Sequence, residues 1–189
     1  MQAMNLTNNF IIAMPSLEDP IFSRSVSYVC QHTAQGAMGL TINHPTDITL
    51  EHFLSQLDIP LKETALAATP IYLGGPVETG HGFILHSNDS HLSNESQTLK
   101  INDDISLSSS KDILMAIAAG EGPEHFLITL GYAGWGKNQL EQEMQQNSWL
   151  NVIADNDIIF STPADKRWQQ AALKLGIDIN LISADVGHA

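Results

Sequence analysis

Residues 127–143 read LITLGYAGWGKNQLEQE, an apolar run, then three glycines interleaved with two large aromatics, then a polar stretch. Gly131, Gly134 and Gly136 free the backbone to take positive φ beside Tyr132 and Trp135, a conformation that residues with a Cβ reach only at a cost. The pattern predicts a strand, a glycine-rich loop and a helix start. Glu141 and Glu143 lie where the positive end of a helix dipole favours acids. Any fold adopted by this chain must hold that loop, with a sheet supplied before it and helical packing after it.

The preceding residues supply the sheet. Phe10 to Met14 is an apolar run stopped by Pro15, the form of a buried strand. Val26, Tyr28, Cys30 and His32 alternate with Ser25, Ser27 and Gln31, and Met38, Leu40 and Ile42 alternate again after Gly36, which predicts a hairpin over Tyr28 to Asn43. Leu50, Phe53, Leu54 and Leu57 recur at helical spacing. Ile71 to Leu73 and Gly82 to Leu85 are strands flanking Gly74-Gly75-Pro76, a turn. Ser87 to Ser96 is polar and without period, the composition of an exposed loop, and Leu99-Ile101 with Ile105-Leu107 forms a short strand pair. Ser109 caps a helix through Ala118 that Gly120 ends. Ile158 to Phe160 reads as a strand, and Thr162-Pro163-Ala164-Asp165 as the start of a last helix whose buried face includes Trp168 and Leu175. Strands and helices mix without β-α-β alternation. The fold class is therefore α+β, a single domain over residues 1–189 with a largely antiparallel sheet.

Composition narrows the function. The chain is 43% hydrophobic and 15% charged, which is globular and not disordered. Its formal net charge is −13 with eight Lys plus Arg, so direct binding of nucleic acid or anionic lipid is not expected. Lys166, Arg167 and Lys174, the densest basic stretch, read as one solvated helix face. No apolar run approaches the length of a membrane span. No Lys or Arg precedes Arg24, and Cys30 is the one cysteine, so the expected location is the cytoplasm.

Four stretches, FSRSVSYVCQH, GAMGLTINHP, YLGGPVETGHGFILH and LGYAGWGKNQLEQE, resemble the AlgH/YqgE family of bacterial proteins, in that family's order. The resemblance runs from about Leu6 to Gly187-His188-Ala189. It implies a compact α+β domain of bent antiparallel sheets with helices around them, in the cytosol. It implies no catalytic residue. The label of transcriptional regulator that such proteins often carry describes a phenotype and not a mechanism. Three positions depart from the family pattern: His81 stands where Arg is usual, His44 where Arg or Lys is frequent, and Asn138 where Gly is common. The two histidines weaken any anion site that used those cations, unless they are protonated. Asn138 remains an acceptable helix N-cap.

The candidate site is a cleft rimmed by the GGP and GYAGWG segments, with His32, Asn43, Gly74, Gly75, Pro76, His86, Tyr132, Gly134, Trp135 and Gly136 as its residues. Trp135 and Tyr132 carry the reading, because aromatic side chains on a loop lie at the surface. The first function that follows is a regulatory binding module for a small molecule or protein partner. The second is an enzyme built on Cys30 or His32 with His86, since Cys30 and His32, two apart on a strand, share a face. The third is a DNA-binding regulator. The glycine segment lacks the dinucleotide fingerprint and any phosphate-binding G-K-[ST]. None of the eight histidines has zinc-site spacing, so neither cofactor nor metal is expected. Ser108-Ser109-Ser110-Lys111 matches S-x-x-K without the companion SDN and KTG signatures, and helix capping accounts for it.

Overall fold

The computed structural model describes residues 5–89 and 97–182. Much of the Ser87 to Ser96 loop expected from composition lies outside them. The strands are β1 (Asn9–Ala13), β2 (Val26–Thr33), β3 (Gly36–Thr41), β4 (Pro45–Thr49), β5 (Pro70–Leu73), β6 (Val77–Ser87), β7 (Thr98–Lys100), β8 (Ile105–Ser108), β9 (Phe126–Gly136) and β10 (Trp149–Ile153). The helices are α1 (Leu50–Gln56), α2 (Lys111–Ala119), α3 (Gln139–Gln145), α4 (Asn156–Phe160) and α5 (Ala164–Leu173). All ten strands form one sheet, in the order β10-β1-β2-β3-β9-β6-β8-β7, with β4 and β5 attached beside β9. Every pairing is antiparallel except β5 with β9. The protein is α+β, with a curled antiparallel sheet and helices packed around it.

The curl is visible in two aromatics. Trp135 on β9 and Trp149 on β10 stand four strands apart in the sheet order, a separation of about 19 Å in a flat sheet. Their ring centroids are 6.2 Å apart. The concave side that they share encloses Leu6, Ile11, Ala13, Val29 and Ala133, under Leu140 of α3. The opposite side of the same strands presents Phe10, Tyr28 and Leu40 to Leu85, Leu107 and Leu127, with α4 and α5 contributing Ile158, Ile159 and Trp168. A third cluster packs α1 and α2, through Leu54, Ile113 and Ile117, onto Ile84 and Ile128 of β6 and β9.

Local chemistry explains most boundaries. Thr49 caps α1 through its side chain, Ser110 caps α2, and Gly120 closes α2 at φ +78°. The α2 cap therefore falls one residue beyond Ser109. Five expectations are overturned. Arg167 does not lie on a solvated face: it is buried, and its Nε donates to the Thr162 carbonyl at 2.9 Å. Leu175 lies beyond the end of α5 and is exposed. Ile158–Phe160 belongs to the short helix α4, capped by Asp155; three apolar residues cannot distinguish a strand from a buried helical turn. Thr162 does not cap α5. Pro163 occupies that position without a side-chain bond, and the Thr162 hydroxyl donates back to the Asp157 carbonyl at 3.1 Å. The glycine-rich segment through Gly136 is strand, the second half of β9.

Candidate functional site

β9 is the spine of the site because it changes partners along its length. Phe126 to Tyr132 pair with β6, and Ala133 to Gly136 pair with β3. The change follows Tyr132, next to Gly131, which takes φ +72°, while the Thr129 hydroxyl bonds the Gly131 carbonyl at 3.0 Å. A Cβ on Gly131 would stand 2.5 Å from the Gly75 carbonyl oxygen, and one on Gly75 (φ +155°) 2.2 Å from the Tyr132 carbonyl carbon. Gly74 is held by the Leu130 carbonyl and by the Thr41 amide. Gly74 and Gly75 therefore form the buried seat on which β9 bends, and of that turn Pro76 is exposed.

Beyond the bend, alternation sorts the aromatic residues. Tyr132 packs against the core on the β6–β8 side, edge-on to Phe83 at 5.4 Å. Ala133 and Trp135 face the concave core. Trp135 is only 6% exposed, and its Nε1 donates to Oε2 of Glu143 at 3.0 Å. The indole is therefore part of the concave core and not an exposed side chain at a cleft rim. Gly134 and Gly136 lie on the face opposite the indole, as neighbours along a strand do. Gly136 donates its N–H to Oε1 of Gln139 at 2.9 Å, and Gln139 in turn donates to Glu143. Asn138 sits at φ +60° without a side-chain cap bond, so its role is a left-handed turn, which Asn tolerates as Gly does, and not capping.

The remaining candidates are dispersed. Asn43 accepts from the Val26 amide at 2.8 Å and donates to the Arg24 carbonyl at 2.9 Å, closing a loop. His32 accepts the Leu6 N–H on Nδ1 at 3.1 Å, so its Nε2–H donates to Oε1 of Glu141 at 3.0 Å. A bulge between Val29 and Gln31 breaks the alternation of β2, so Cys30 joins the core cluster that includes Tyr28 and Leu40 while His32 engages α3. The two do not share a face. Cys30 is 1% exposed, its Sγ–H points to the Tyr28 carbonyl at 3.6 Å, and burial pushes its thiol well above the usual range.

His86 lies at the other end of β9, opposite Phe126, whereas His32 is level with Ala37 and Trp135. Its ring is buried and donates from Nδ1 to the Ser87 carbonyl at 2.9 Å. Nε2 accepts from the Ser108 hydroxyl at 2.9 Å, and that hydroxyl accepts from Thr98 at 2.8 Å. Burial holds the imidazole below its ordinary value, against the opposing pull of the Ser87 carbonyl and Asp89. His44 is lowered by burial too. The Ser108–His86 pair has nucleophile–base spacing, but both partners are buried and every polar atom has a partner, so the pair is a polar rung across β6, β8 and β7. Cys30, His32 and His86 are not brought together.

The structure does contain a groove, in a different place. Met38, Phe83, Leu99 and Leu107 line a cleft of about 330 Å³, with Gln97, Thr98, Ser108 and Ser109 on its border. At Met38 it meets a second hollow of about 430 Å³ over Gln31, Gln35, Gly36, Tyr132 and Gly134. At Phe83, Gln97 and Ser109 it meets a third of about 410 Å³ toward Phe53, Leu57 and Leu114, where Glu78, His81 and Lys111 are the charged or titratable members. Of the predicted residues, Tyr132 and Gly134 fall on this groove, with part of Trp135. Met38, Phe83 and Leu99 were not legible as site residues, since each is one apolar residue in an ordinary strand and the groove exists only because the sheet bends. No cluster of three or more metal-ligating side chains occurs among the described residues, nor a helix long and apolar enough to cross a membrane.

A bent antiparallel sheet folded around a glycine seat, with helices packed around it and an open groove beside the bend, defines an α+β fold. The chain belongs to the AlgH-like family, whose model matches residues 10–180. It is 50% identical to a UPF0301 protein of Thioalkalivibrio sulfidiphilus, covering 98% of this chain and 97% of that one, and 46% identical to a UPF0301 protein of Burkholderia multivorans over 98% and 96%. The solution structure of the AlgH protein from Pseudomonas aeruginosa superposes with TM-score 0.79 at 44% identity over the whole of both chains. A crystal structure of a Corynebacterium diphtheriae protein shares the fold, with TM-score 0.73 at 16% identity over 96% and 93%.

Proposed function

We propose that the protein is a regulatory binding module of the cytoplasm, which takes an elongated, mostly uncharged and apolar ligand in the groove centred on Met38. The ligand is a small molecule or an extended segment of a protein partner. One observation carries the reading: the central hollow shares Met38 with one neighbouring hollow and Phe83, Gln97 and Ser109 with the other, and the two that meet at Met38 are lined by apolar and neutral polar side chains. Apolar walls supply affinity, and a few amides and hydroxyls fix orientation. Catalysis would need titratable groups converging on one reacting atom, and the central hollow has none.

The test is a titration with an uncharged apolar fluorophore such as Nile red. Saturable binding is expected for the wild type. It should weaken at least about tenfold in Met38→Glu, because a carboxylate at the shared wall must be desolvated against the ligand. Equal binding by a folded Met38→Glu variant would remove the groove from the account.

A further inference from the structure

We infer that β10 is a self-association edge, at which a second copy of this chain pairs antiparallel with the first and continues the sheet. β10 ends the strand order and has β1 alone as neighbour. The flanking bonds from Met14 N–H to the Ser148 carbonyl, and from Ala154 N–H to the Asn8 carbonyl, fix which groups face β1. By alternation Leu150 and Val152 point inward to β1, and Trp149, Asn151 and Ile153 direct their N–H and C=O outward. Those six groups bond to no other described residue.

Sheet edges in soluble proteins are protected by charge, proline, bulges or a covering element. The register of β10 against β1 runs without a shift from Ile153 to Trp149, and its sequence WLNVI has neither charge nor proline. Ile153 is 68% exposed. An uncharged open strand is unusual on a molecule of net charge −13.

A second copy fits this edge by its own register. Two β10 strands related by a two-fold axis at Asn151 place Asn151 opposite Asn151 and Trp149 opposite Ile153. All outward groups then meet in hydrogen-bonded pairs, as isologous contact requires. Like charges do not meet: Asp155 falls opposite Asn147, and its carboxylate already pairs with Lys174 at 3.0 Å. The same ion pair fixes the end of α5 beside β10, where Leu173 and Leu175 are exposed. A two-fold axis normal to the sheet brings both copies of α5 to one face.

Sedimentation equilibrium of the full chain, over a series reaching about 1 mM, tests the proposal. The wild type should show a monomer–dimer equilibrium that strengthens with added salt, because screening relieves the repulsion of two acidic copies. Asn151→Pro deletes an outward N–H and leaves the bonds to β1 intact. Ile153→Lys places a charge on the edge. Each should raise the dissociation constant at least about tenfold with circular dichroism unchanged; if Asn151→Pro disturbs folding, Ile153→Lys decides. A wild type monomeric throughout overturns the proposal, as does a dimer that persists in the folded variants. So does a monomer whose β10 accepts an unrelated extended peptide instead.

Discussion

Trp135 and Trp149 donate their indole N–H groups to the same carboxylate oxygen, Oε2 of Glu143, at 3.0 and 2.8 Å. Their rings meet edge-to-face at 82°, and Phe22 packs against both. One acid on α3 thereby pins two strands that lie at opposite ends of the curled half of the sheet. Trp135→Ala should cost about 3–5 kcal/mol, like truncation of other core tryptophans, and as much as Trp168→Ala. Glu143→Ala should cost about 2–4 kcal/mol, since it leaves two indole N–H groups without a charged acceptor. Urea denaturation of the three variants is the check, and a Trp135→Ala loss well below that of Trp168→Ala would put the indole outside the core.

The glycine seat predicts a sharper effect. Gly75→Ala or Gly131→Ala forces a Cβ into backbone atoms 2.2 and 2.5 Å away, at φ values unfavourable to L side chains. Backbone cannot rotate aside as a side chain can. Each variant should lose more than about 4 kcal/mol or fail to fold. Gly80→Ala, whose Cβ would meet nothing within 4 Å, is the control and should be nearly neutral by thermal denaturation.

Stability should fall on mild acidification. His86 and His44 are both held by burial below their ordinary value of 6.5. Between the folded and unfolded values, the unfolded chain binds more protons than the folded one, so stability rises with pH there. The contribution is complete above about pH 6.5 and is lost as pH drops from there through the folded values. Denaturation midpoints measured at stepwise lower pH should show this decline, and His86→Asn should make it shallower. An unchanged slope would mean that His86 is charged in the native state.

Cys30 should be inert in the native protein. Its thiol is enclosed and its ionisation disfavoured by burial, and only the thiolate attacks a disulfide. An aromatic disulfide reagent should label it after unfolding and not before. Rapid stoichiometric labelling of the native chain would return the thiol to the list of reactive groups.

Much of the fold was legible because local chemistry and tertiary packing agree in it. The β2–β3 hairpin follows from its alternation, α1 from the spacing of Leu50, Phe53 and Leu54, and the end of α2 from Gly120. β10 carries no sequence signature, because Trp149 to Ile153 is too short to show a period, and its identity as a strand comes from β1. The bulge that separates Cys30 from His32 leaves no mark in the sequence. At β9, the glycines signalled special backbone correctly, but two different demands were present. Gly131 serves a bend, whereas Gly134, paired with Met38, lies on an extended strand. The aromatics were visible, yet the face that each would occupy depended on where the bend fell. The groove was hidden for the same reason, since Met38 and Leu99 are 61 positions apart and meet only across the folded sheet.

The central claim is that the bend of β9 is structural, and that ligands enter on the side of Met38 and Tyr132. Amide chemical-shift mapping during titration with an uncharged aromatic fragment tests it most directly. The shifts should concentrate at Met38, Phe83, Leu99, Tyr132 and Gly134, and leave Phe22, Trp149 and the Trp135 indole N–H unmoved. Saturable shifts centred instead on the Trp135 indole, Glu143 and Trp149 would contradict the account and place the site on the concave side of the sheet.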